Sequence, residues 1–169
     1  MNQLLKLFYD ICLLKKGPQD IPASDWLFRV LLIVSIFVDF LVLILSTDLF
    51  SAILQTFVEI ALTLGLTWII LYTAKKQFRF QQTVCAFMAT DILISLLALP
   101  AIAILVNGGE GSTFIVIILL MLWHWVVTGH ILTHALEQPF SFGLGVAFLY
   151  IFISIQIMGI LFPEVILTE

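Results

Sequence analysis

Five apolar stretches dominate this chain, at 26–46, 49–72, 84–105, 114–136 and 142–162. A helix needs about 20 apolar residues to cross the hydrocarbon core of a bilayer. Backbone groups in lipid find no water to bond, and a helix satisfies them within one segment. The chain therefore reads as an all-α, polytopic membrane helical bundle of five transmembrane helices. Composition agrees. The chain is 62% hydrophobic and 11% charged, with a mean hydropathy of +1.19, whereas a soluble domain is about half apolar and about a quarter charged.

The links between spans are short, so consecutive spans are expected to be antiparallel neighbours. Asp48 in the first link suits an N-cap. The longest polar link is 74–82, AKKQFRFQQ, and the link at 107–113, NGGEGST, carries turn glycines. Pro139 in the fourth link stops a helix, and Pro100 is expected to kink or end the third span. The seven basic residues fall at one end: Lys6, Lys15, Lys16 and Arg29 near the start, then Lys75, Lys76 and Arg79 after the second span. By the positive-inside rule this places the N-terminus in the cytoplasm and the C-terminus outside, in the periplasm if the membrane is a bacterial inner membrane.

Residues 1–25 read as a cytoplasmic amphipathic helix with its linker, and 26–169 as the five-span domain. At 3–16, Leu4, Leu7, Phe8, Ile11 and Leu14 share one helical face, while Lys6 and Asp10 lie opposite. Gly17 and Pro18 are expected to end this helix. It is too short to span. It can lie on anionic lipid, dock a partner, or cover the ends of the bundle. Ser24 or Asp25 should cap the first span. Cys12 and Cys85 form no CxxC pair and are expected to be reduced and structural. No cleavable signal and no lipidation motif is read. A basic nucleic-acid footprint is absent. No phosphate loop, nucleophile elbow or zinc-protease motif occurs, so an enzyme is not expected.

Ionisable groups at membrane depth are costly and are the candidate functional residues. They are Asp39, Glu59, Asp91, His124 and His130, joined by Gln55. Gln55, Glu59 and Thr63 recur at i, i+4 spacing, a polar stripe that should face protein. Counting depth at ~1.5 Å per residue pairs Glu59 with His124 and Asp91 with His130. His124 is turned by ~120° from His130 on the helical wheel, so the histidines do not form one column. Four uses compete. Haem would need histidines from facing helices, and all three stand on one span. A metal could take Asp91, His130 and His134. A proton path could run through Glu59, His124, Asp91 and His130. The plain alternative is interhelical hydrogen bonding. Lys75, Lys76 and Arg79 could meet lipid headgroups or a partner, or simply set orientation. Trp68, Trp123 and Trp125 suit packing or the interface, and Gly65, Gly129, Gly143 and Gly145 suit close helix contacts.

Several stretches taken together resemble a group of small uncharacterised inner-membrane proteins of proteobacteria. They are KKGPQDIPAS before the first span, RFQQT at the third, the proline ending LLALP, and the W-x-x-x-x-G-H-I-L-x-H-A-L run in the fourth. The five-span, N-inside layout also resembles the YIP family (Ypt/Rab-interacting membrane proteins), though the DLYGP-type stretch of its eukaryotic members is absent. These resemblances imply a membrane scaffold, assembly factor or accessory subunit. The expectation is thus a non-enzymatic inner-membrane protein without a cofactor, meeting lipids and either other membrane proteins or copies of itself. The alternatives are a small proton-coupled transporter or channel component, and a haem- or metal-binding subunit.

Overall fold

A computed structural model of the chain describes residues 2–108 and 111–163. The glycine-rich link at 107–113 and the C-terminal tail fall partly outside them. Six α-helices occur among the described residues: α1 (Asn2–Cys12), α2 (Asp25–Leu43), α3 (Leu49–Thr73), α4 (Phe80–Val106), α5 (Gly111–Leu136) and α6 (Phe140–Leu161). The last five are long and apolar enough to span a membrane, so the protein is a multi-pass, all-α membrane bundle. α4 is central, packing on α2, α3, α5 and α1, while α6 packs mainly on α5.

The caps follow local chemistry. Ser24 accepts from the Leu27 amide at the start of α2, and Asp48 accepts from the Phe50 and Ser51 amides at the start of α3. Pro100, expected to kink or end the third span, does not end it. α4 runs through it to Val106, as a membrane helix can when neighbouring segments re-satisfy the freed carbonyl. α4 also begins at Phe80, four residues before the apolar stretch, so the polar run Gln81-Gln82-Thr83 is helical. Arg79 explains that earlier start. Its guanidinium donates to the carbonyls of His134 (2.7 Å) and Ala135 (3.5 Å) at the end of α5 and pairs with Glu137. Orphan carbonyls and the helix dipole both favour a cation there.

α1 ends earlier than expected. The Lys15 amide donates to the Asp10 carbonyl and the Leu14 amide to the Ile11 carbonyl, with Leu14 at φ 61°. That is a Schellman closure built without glycine. Gly17 lies beyond it in extended backbone at φ −114°. Leu7, Phe8, Ile11 and Cys12 are buried, and the first three join the core with α4 and α5. The indole of Trp123 donates to the Cys12 carbonyl at 3.1 Å. The helix thus covers the flank of the bundle.

The bundle has two unlike halves. At the basic end, which carries Lys15, Lys16, Lys75, Lys76 and Arg79, eight consecutive residues of α4 from Thr83 to Thr90 are buried, as are residues 127–132 of α5. Side chains staple this end. Lys76 and Arg79 both pair with Glu137, Gln81 donates to Asp25 at 2.8 Å, and Gln82 donates to the Ile21 carbonyl at 2.7 Å. The other half surrounds a polar cavity.

Candidate functional site

Each spanning helix sends polar side chains into one cavity of about 380 Å³. α2 supplies Ser35 and Asp39, one turn apart and joined by a 3.1 Å hydrogen bond from the serine hydroxyl. α3 supplies the expected stripe Gln55, Glu59 and Thr63. α4 supplies Asp91, α5 His124 and Thr128, and α6 Tyr150 and Ser154. The cavity reaches the end of the bundle away from the basic residues, where Phe162 lines it. Its size is that of a small-molecule site.

The groups are connected in part. Tyr150 donates to the Thr63 hydroxyl at 3.3 Å, and its ring stacks on Phe87 with centroids 5.5 Å apart. His124 Nδ1 stands 3.6 Å from Asp91 Oδ1, too long for a good hydrogen bond but close enough for charge to matter. Gln55 is 3% exposed, and its amide nitrogen has no partner among the described residues. Glu59 is accessible on the cavity wall. Among the described residues, no lysine or arginine lines the cavity.

Of the expected site residues, Asp39, Gln55, Glu59, Asp91 and His124 come together here. His130 does not. Its Nε2 donates to the Lys16 carbonyl at 2.9 Å, so it pins the segment after α1 to α5. The expected pairings therefore change: Asp91 meets His124 rather than His130, and Glu59 shares the cavity with His124 without being its near carboxylate. The reason is register. Arg79 is tied to the end of α5, so depth on α4 counts from residue 79 rather than from 84. Twelve residues then separate Arg79 from Asp91 and twelve separate His124 from Leu136, ~18 Å along each helix. Counting from Val84, more than a turn later, places Asp91 level with His130 instead.

The metal set Asp91, His130 and His134 is not assembled. His134 Nδ1 bonds the His130 carbonyl at 2.9 Å, and no group of three metal-ligating side chains converges among the described residues. Of the cations considered for lipid or partner contact, Lys76 and Arg79 turn onto Glu137, and Lys75 stays exposed. Trp125 donates to the Leu144 carbonyl at 3.1 Å, a packing role as expected.

Sequence reasoning missed Ser35, Thr128, Tyr150 and Ser154. A signal existed in two places: Ser35 stands one turn before Asp39, and Tyr150 and Ser154 stand one turn apart in an otherwise apolar span. Hydroxyls cost little in apolar runs, so hydropathy does not mark them. Compared with protein-family models, curated proteins and solved structures, the chain matches nothing.

Proposed function

We propose that the protein is a small proton-coupled membrane carrier, with the cavity as its solute site and Glu59, Asp91 and His124 as its proton-handling groups. The observation that carries this reading is the asymmetry of the bundle: a cavity lined by polar side chains of all five spans reaches one end, while the other is stapled through Glu137, beside a separate cleft that none of those polar groups lines. A carrier needs a site open to one side and closed to the other, and an element that can exchange the two. Ionisable groups at that depth are the usual currency of proton relays. Three carboxyls lining one cavity favour a solute site over the scaffold or accessory-subunit role implied by the family resemblances. His130 leaves the proton path proposed from sequence and becomes a tie between α1's trailing segment and α5.

The basic end is cytoplasmic in this reading, the cavity faces outward, and the membrane is the bacterial inner membrane suggested by the family likeness. The test is reconstitution in liposomes containing a trapped pH dye. Solutes of cationic, anionic and neutral classes are added in turn. A carrier gives solute-triggered proton movement for at least one class, lost on Glu59→Gln. Proton movement with none of them, from protein whose melt is intact, overturns the reading.

A further inference from the structure

We infer that the cavity takes an organic ammonium cation with an apolar body and a hydrogen-bond acceptor, in exchange for protons. This deepens the carrier reading and rests on it for the transport step, but the binding claim stands separately. The titratable groups facing the cavity come from all five spans: Asp39 on α2, Glu59 on α3, Asp91 on α4, His124 on α5 and Tyr150 on α6. Among the described residues three are acids, and no fixed cation faces them. An unpaired carboxylate at membrane depth is expensive. Each carboxyl therefore holds either a proton or a cationic partner. A cation that enters supplies the partner, and the displaced proton leaves to water, so charge balances.

Size and lining choose the kind of cation. A bare metal ion would need ligands converging within a few ångströms, and among the described residues no such group exists. The acids are instead distributed around about 380 Å³. The stacked Phe87–Tyr150 pair lines the same cavity, with Ile60 and Met88 also on the wall. Aromatic faces and methionine suit an ammonium group attached to a hydrophobic body. Gln55 is the independent sign of a ligand. Its amide nitrogen is buried without a partner on the cavity wall, and such a group is costly to leave unmade. It calls for an acceptor, which the described residues do not provide and a ligand can.

Three probes of one shape separate the possibilities: tyramine, the neutral alcohol tyrosol, and 4-hydroxyphenylacetate. Binding to the full chain in lipid nanodiscs is followed by calorimetry in two buffers of different ionisation enthalpy, which reads protons released. Tyramine should bind with proton release, and tyrosol at least about tenfold more weakly, the difference expected for losing a charged hydrogen bond. Glu59→Gln should weaken tyramine at least about tenfold and suppress the proton release. Gln55→Leu should weaken tyramine severalfold while raising the melting temperature of the empty protein, a combination that a merely structural glutamine would not give. Equal or tighter binding of tyrosol or 4-hydroxyphenylacetate, or no binding of tyramine, overturns the ammonium site. The carrier reading fails separately. If tyramine binds as described but neither it nor any other solute drives proton movement in liposomes, the site stands and the carrier falls. If tyrosol alone moves with protons, the carrier stands and the cation site falls.

Discussion

Leu14, Lys75 and Glu137 end α1, α3 and α5 at φ 61°, 57° and 55°, a region that costs residues with a Cβ roughly 1–2 kcal/mol. Lys75 is the clearest case, being exposed. Lys75→Gly should relieve that strain and stabilise the protein by about 1 kcal/mol, read as a higher melting temperature in detergent. Glu137 is different because its side chain holds the staple. A hydrogen bond from Lys76, and the charges of Lys76 and Arg79, keep its carboxyl below its ordinary value of 4.5. Asp48, held down by Ser51 and the Phe50 amide, behaves alike. For a lowered carboxyl, the native contribution is fully present above the unfolded value and disappears as pH falls through the folded one. Thermal stability should therefore be flat with respect to these two groups above about pH 5 and decline below about 4.5. Glu137→Gln should flatten part of that decline. A melt series with the same slope in the variant would show that the ion pairs contribute nothing. Cys12 gives a further check. Burial pushes its thiol up to about 11, so at neutral pH it should resist maleimide until the protein is unfolded.

Among the elements, the α5–α6 hairpin depends on close approach. A Cβ on Gly143 would overlap Thr133 Oγ1 and the Gly129 carbonyl oxygen, and one on Gly129 would meet Leu144. Small residues permit this contact where no hydrophobic drive exists between helices in lipid. Gly143→Ala should cost about 1–3 kcal/mol, whereas Gly145→Ala, into open space, should cost nothing measurable in the same melt. That contrast also marks what the sequence could say. All four glycines looked equivalent as candidates for close contact, because which face of α6 meets α5 is decided by packing, not by glycine spacing. The spans themselves were legible, since about 20 apolar residues have few alternatives. So was the Gln55-Glu59-Thr63 stripe, whose i, i+4 spacing defines one face. Asp91's partner was not legible. It depends on a one-turn register set by Arg79 reaching a helix end 55 residues away in sequence, and hydropathy places a helix start only to within such a turn.

At the scale of the molecule, the stapled half and the half around the cavity should exchange if the protein is a carrier. Two positions report on this in a background with Cys12→Ser and Cys85→Ala. Ser154→Cys lies on the cavity wall, and Thr83→Cys lies fully buried in the stapled half. With the bundle as described, a membrane-impermeant maleimide should label Ser154→Cys from the cavity side and leave Thr83→Cys untouched. A transported solute should slow the first reaction and expose the second from the basic side. The staple sets the balance. Arg79 makes charged hydrogen bonds to the end of α5, and such bonds contribute about 1.5–3 kcal/mol. Arg79→Gln should therefore shift the two populations by roughly tenfold or more, seen as faster labelling of Thr83→Cys without any solute. High salt should do the same more weakly, because Glu137 is half-exposed and its pairs are screened. If labelling at Thr83→Cys stays absent under every condition while Arg79→Gln merely lowers the melting temperature, the staple is architectural. The bundle then has a single state, and the cavity serves binding without transport.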